Sequence, residues 1–277
     1  ECVNGSAQVL GCGTELFVPM IESNMDCVFC LDCARACPYD NVALQIRNPL
    51  KEPRRRLDPP SFALAFMILS LIFTGLMNAF GMVPPVYKLQ SWLADSLGLR
   101  SDALRLLLIF GIGNLFLPMA ALAVMAVFAR GTAGSFLTSL RSEALRFVPA
   151  VVPLGAGIWL AHYGFHLAIG GLAIVPVIQS FVLDHGIEFL GSSPRWDLSM
   201  LIPQDLIFPL QVAAIFAGLL GSFAALVLPT LDSEQPPLES LKRILPWAVL
   251  LVLMTIAALS VFNLPMEMRG TLQIGNQ

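Results

Sequence analysis

Five long stretches without a charged side chain constrain this chain most: residues 59–87, Leu106 to Ala129, Phe147 to Leu183, Leu206 to Leu231 and Ile244 to Met266. A helix needs only about 20 predominantly apolar residues to cross a bilayer. Inside hydrocarbon, water cannot bond to N–H and C=O groups, so such stretches must satisfy them within a helix. Composition agrees, with 13% charged residues against about 25% in soluble domains. The reading is a mainly α, polytopic membrane helix bundle of about five spans, over residues 61–270, in a lipid bilayer. No basic stripe with interleaved aromatics occurs, so nucleic acid is not expected as a partner.

The third stretch holds 37 residues, slightly too few for two spans and a turn. We therefore expect one span to about Leu167, then a re-entrant or surface segment after Gly170-Gly171. Asp58 is the expected N-cap of the first span, with Pro59-Pro60 in its first turn and Gly81 and Pro84-Pro85 ending it. Between Tyr87 and Arg105, apolar residues at near-helical spacing predict an interfacial amphipathic helix. With five spans, eleven of the 16 Lys and Arg residues fall on the N-terminal side and five on the other. The positive-inside rule then places the N-terminal segment in the cytosol of a prokaryotic inner membrane; a sixth span would move Lys242 and Arg243 outside. Residues 48–60 form a proline-rich linker whose Lys51, Arg54, Arg55 and Arg56 suit anionic headgroups.

Ahead of the linker lies Cys27-Val28-Phe29-Cys30-Leu31-Asp32-Cys33-Ala34-Arg35-Ala36-Cys37-Pro38. Its C-x2-C-x2-C-x3-C-P spacing is that of a [4Fe-4S] ligand set, in which a short loop presents three thiolates and the fourth comes from further on. The alternatives are structural zinc, which favours two Cys pairs set well apart, and disulfides, which need an oxidising compartment. The intervening Val28, Phe29, Leu31 and Ala34 are expected to shield a cluster, and the alternation of Asn41 to Ile46 predicts a short strand over it.

Over residues 21–47 the sequence resembles bacterial-type ferredoxin domains and, more loosely, the membrane-bound polyferredoxins of respiratory chains, although in those relatives the spans generally precede the cysteines. The resemblance implies a ferredoxin-like [4Fe-4S] domain over 1–47 with Cys27, Cys30, Cys33 and Cys37 as ligands. It also implies that the fourth cysteine of a motif often serves a second cluster. Cys2 and Cys12 are further candidate ligands: either could complete the cluster of Cys27, Cys30 and Cys33 and free Cys37 for a second one, or Cys37 closes a single cluster. Because the chain opens on Glu1 and not on methionine, we expect a truncated start, with earlier cysteines among the residues removed.

Within the spans, His162 and His166 stand four apart on one helix face, among Trp159, Tyr163 and Phe165. Histidines in membrane helices suggest a haem b ligand, a quinone hydrogen-bonding group or half a metal site; the plainer reading is an aromatic belt at the headgroup level. The five spans carry no Asp, Glu, Lys or Arg, which argues against a pump or ion-coupled transporter. The expected function is one-electron carriage between a soluble donor and a membrane redox complex or quinone pool. An assembly factor or a redox sensor using the same cluster is the alternative, and bond-making catalysis is not indicated.

Overall fold

The computed structural model describes residues 1–21, 26–44, 46, 59–129, 137, 140, 144–188, 191–231 and 236–265. The chain divides into two units, Glu1–Pro49 and Leu50–Gln277. Among its described residues the first contains a 3₁₀ turn (Val18–Met20) and one short α-helix, α1 (Asp32–Ala36), within turns and irregular backbone. Among its described residues only Ala36 is fully buried. The strand expected over Asn41 to Ile46 is absent: residues 41–44 and 46 are irregular, with Leu44 and Ile46 exposed. A strand needs a ladder partner for its N–H and C=O groups, and no second strand exists among the described residues.

The second unit is a helical bundle. Its helices are α2 (Phe62–Phe80), α3 (Pro84–Leu97), α4 (Asp102–Phe128), α5 (Val152–Gly170), α6 (Ile174–Asp184), α7 (Gln204–Leu231) and α8 (Pro237–Phe262). Five segments are long and apolar enough to cross a membrane, in the places the charge-free stretches mark. The third of them is broken as expected, with α5 ending at Gly170 and the shorter α6 beginning at Ile174. The chain then folds back on α5, since the Leu201 amide donates to the Ala168 carbonyl and the Leu172 amide to that of Ser199.

The helix boundaries correct several expectations. Ser61, not Asp58, caps α2, its hydroxyl accepting from the Leu64 amide at 3.2 Å. Pro59-Pro60 therefore precede the helix, while Asp58 and most of the basic linker lie outside the described residues. The amphipathic helix spans Pro84–Leu97, with Val86 and Leu93 buried, because Gly98 adopts a left-handed conformation (φ +66°) that closes it. Ser101 then starts α4, so Arg105 belongs to the second spanning helix, where it bonds the Leu99 carbonyl and pairs with Asp102. The fifth spanning helix, α8, begins at Pro237, seven residues earlier than the charge pattern implies. Its first turns carry Glu239 and Lys242 as an exposed ion pair at 2.9 Å, so charged residues continue the helix beyond the apolar stretch.

Packing in the bundle depends on small residues. Helices α5 and α7 run antiparallel, as the pairs Ala161/Gln211 and Leu154/Ser222 require: the Gln211 amide donates to the Ala161 carbonyl at 3.1 Å, and the Leu154 amide to the Ser222 hydroxyl at 2.9 Å. Between these bonds, a Cβ on Gly157 would lie 2.5 Å from the Ala214 carbonyl oxygen, and one on Gly218 would lie 2.6 Å from that of Pro153. Only glycine permits this approach, the mode by which membrane helices gain close packing where no hydrophobic drive separates helix from lipid. Helix α2 runs parallel to α5, with Gly75 against Trp159 and Ile72 against Gly155.

Candidate functional site

The cysteine loop is built from backbone turns. Phe29 (φ +55°) and Leu31 (φ +64°), on either side of Cys30, adopt the left-handed region although neither is glycine. Side chains avoid that region at a cost of about 1–2 kcal/mol per residue. Alternating turns of this kind form the amide-lined concavities that hold anions, iron-sulfur clusters among them. Leu31 then precedes α1, which carries Cys33, with Arg35 and Asp32 as an exposed pair at 3.4 Å.

Backbone amides and hydroxyls also reach the sulfurs. The Leu16 amide donates to Cys12 Sγ at 3.4 Å and the Thr14 hydroxyl lies 3.3 Å away. Thr14 first and Leu16 second hold the Cys12 thiol below its ordinary pKa. Amide bonds from Asn41 and Tyr39 lower Cys37 in the same way. Burial pushes Cys33 up, and the nearby Cys12 and Cys30 sulfurs add to that rise. The Cys12 amide donates to the Cys2 carbonyl at 3.0 Å.

None of the six cysteines is in a disulfide, and Cys30 is exposed while the others are half-buried. Among the described residues, no three or more His, Cys, Asp or Glu side chains gather as a metal-binding group. The donor chemistry nevertheless fits a thiolate-ligated cluster: soft sulfur donors, turns of the anion-holding type and N–H groups directed at sulfur. Val28, Phe29 and Leu31, expected with Ala34 to shield a cluster, are exposed. A head with a single buried residue has no interior to receive them.

The second constellation lies in the bundle, where α2 and α5 meet near the C-terminal end of α2. His162 is completely buried. Its Nε2 lies 3.1 Å from Asn78 Nδ2, and the same amide nitrogen donates to the Tyr163 hydroxyl at 3.3 Å. The His162 ring meets those of His166 and Tyr163 edge-on at 4.8 and 4.9 Å, and Phe262 of α8 at 6.4 Å. Trp159 stacks on Tyr163 at 5.0 Å and donates its indole N–H to the Leu71 carbonyl at 2.9 Å.

Four other fully buried polar residues have partners. Gln211, Ser222 and Thr255 bond within the bundle, and Gln179 binds Ser193 and Arg195 in the segment after α6. His162 Nδ1 has no partner among the described residues; Asn114 Oδ1, on the π-helical turn Ile112–Phe116 of α4, and Ser70 Oγ share that condition. Rings 4.8 Å apart on one helix leave no space for a porphyrin between them, and His185 is engaged with the Phe181 carbonyl at 2.8 Å. Asn78 escaped the sequence reading because a single amide in a charge-free stretch carries no spacing signal, and its partner is 84 residues away.

No family model matches the chain, and neither a curated protein nor a solved structure is similar to it.

Proposed function

We propose that the chain is a membrane-bound iron-sulfur electron carrier, with its cysteine head on the cytosolic face of a prokaryotic inner membrane. It would pass single electrons between a soluble donor and a membrane redox complex or the quinone pool. The observation that carries this reading is the cysteine loop itself. Four thiols at C-x2-C-x2-C-x3-C-P spacing are combined with left-handed turns at Phe29 and Leu31 and with amide bonds to the sulfurs of Cys12 and Cys37.

Cys27, Cys30 and Cys33 would hold a [4Fe-4S] cluster, completed by Cys37 or by Cys12 or Cys2. The cluster would supply a one-electron redox couple. The chain's own contribution is to fix the sulfurs, to direct N–H groups at them and to tie the head to the bilayer through the spans. Amide bonds to sulfur stabilise its negative charge, which is the lever a protein has on such a couple. With Cys12 as ligand, Cys37 is left for a second cluster; with Cys37 as ligand, Cys12 is a hydrogen-bonded thiol beside it.

The test is anaerobic purification of the full chain in detergent, with iron and sulfide counted and EPR recorded after dithionite reduction. About four irons per chain and a reduced cubane signal are expected. Stoichiometric zinc with no EPR signal would overturn the reading.

A further inference from the structure

We infer that Asn78, His162, Tyr163 and His166 form a binding site for an uncharged, carbonyl-bearing ring of the quinone type, entered from the lipid. The inference is independent of the cysteine head and holds whichever metal the head carries.

Hydrogen-bond bookkeeping at the site identifies what is missing. The Asn78 amide has two protons, and they serve two acceptors, His162 Nε2 and the Tyr163 hydroxyl oxygen. With the Asn78 amide in this orientation, His162 accepts at Nε2 and its proton sits on Nδ1. That N–H is buried with no acceptor among the described residues. The Tyr163 hydroxyl, an acceptor toward Asn78, keeps its own proton free on an exposed residue, where a ligand arriving from the lipid meets it. A buried donor without a partner costs about 1–3 kcal/mol, so the unfilled Nδ1 proton of His162, whose ring lies 4.9 Å from that of the exposed Tyr163, marks a place for a ligand with acceptor oxygens. His166, edge-on to His162 at 4.8 Å and half-buried, adds a third polar group to the same spot.

The surroundings narrow the ligand further. Asp, Glu, Lys and Arg are absent from α5 and α2, so nothing there compensates a charged ligand. A protonated Nδ1 and an engaged Nε2 leave His162 no lone pair for a metal ion. Trp159 and Phe165, both half-buried, border Tyr163 and His166 with aromatic rings. Access is from the side: Tyr163 is 45% exposed and its neighbours Leu160 and Leu167 are 65% and 62% exposed, a lipid-facing stripe on α5. A neutral, lipid-soluble ring bearing carbonyl oxygens meets all these conditions; a sugar, a nucleotide or a free anion does not.

The test uses the full chain in detergent and decylubiquinone as probe, read by quenching of the Trp159 fluorescence with Trp159 replaced by Phe as the signal control. Saturable quenching at one quinone per chain is expected. Tyr163→Phe, which keeps the ring stack, should weaken it about fivefold, the worth of one hydrogen bond, and His162→Phe should abolish it. Asn78→Leu, at an exposed position, provides a second variant if His162→Phe fails to fold, and should weaken binding more than Tyr163→Phe. Quenching that rises linearly and equally in all variants is partition into the micelle and overturns the inference. One-to-one binding of Zn2+ or Cu2+ lost in His166→Ala, without saturable quinone binding, overturns it in favour of a metal. Cys30→Ser should leave the quenching unchanged, so loss of iron from the head and loss of quinone binding are read separately.

Discussion

The two units of this chain solve the problem of holding a fold together in opposite ways. The bundle has a continuous apolar core, running from Ala65 and Leu69 of α2 through Leu154 and Ile158 of α5 to Leu251 and Phe262 of α8. The head, in residues 1–49, buries only Ala36 among its described residues and exposes Leu10, Val28, Phe29, Tyr39 and Leu44. Domains of this size cannot obtain stability from apolar burial alone and depend on disulfides or metals. The head has no disulfide, and on the proposed reading its order depends on what its cysteines bind. The bundle needs close contact between backbones, whereas the head, on the proposed reading, needs sulfur ligation.

The largest effect should therefore follow from interfering with the cysteines. On the proposed reading, Cys30→Ser or removal of iron by a chelator under oxidation should make residues 1–49 sensitive to protease. Metal binding in small domains is worth about 10–16 kcal/mol where the unbound chain is unfolded. The bundle's melting temperature, followed by Trp247 fluorescence, should stay within error, because that residue is buried in the bundle core. A head that resists protease without metal would break the comparison.

The converse perturbation acts on the bundle alone. Gly157→Val places methyl groups where even a Cβ would lie 2.5 Å from the Ala214 carbonyl oxygen, so α5 and α7 must separate. Overpacking of this sort costs about 1–3 kcal/mol, with more expected here because the opposing atom is backbone. The expected outcome is a lowered melting temperature in detergent with iron content unchanged. Gly170→Ala, where an added Cβ meets nothing within 4 Å, is the control and should melt like the parent.

A smaller effect is expected from Trp159→Phe, which keeps an aromatic ring against Gly75 and Tyr163 but removes the N–H that binds the Leu71 carbonyl. The loss should be about 1 kcal/mol, typical of one net hydrogen bond. It is measurable as a shift in the detergent denaturation midpoint. An unchanged midpoint would mean that α2 and α5 are joined by ring packing alone.

Legibility in the sequence follows the same division. Membrane spans are written as absence of charge, a signal that needs no knowledge of partners, and Gly170-Gly171 correctly marked the break between α5 and α6. Helix ends were less legible, since Ser61 competes with Asp58 for the same capping role and Glu239, Lys242 and Arg243 are as compatible with a helix as with a loop. The histidine pair stood out by its spacing, whereas Asn78 and the unpartnered Nδ1 exist only through packing of α2 on α5. In the head, alternation at Asn41 to Ile46 suggested a strand, but alternation specifies only a face, and no partner strand exists among the described residues to receive it.

The smallest expected effect is at the start of α2. Ser61 accepts from the Leu64 amide, one of the four N–H groups that a helix start leaves without an internal carbonyl. Ser61→Ala should cost roughly 0.5–1 kcal/mol, the usual worth of such a cap, and Ser61→Asp should restore it. Because the cap lies at the first turn of the spanning unit, the change belongs to the bundle, and iron content should not move. Hydrogen exchange at the Leu64 and Ala65 amides gives the local reading. Faster exchange in Ser61→Ala, confined to that first turn, would place the cap on the bundle side of the comparison. Faster exchange spreading into residues 26–44 would mean that the head and the first span unfold together, and the separation between a ligand-held head and a packing-held bundle would then fail at this junction.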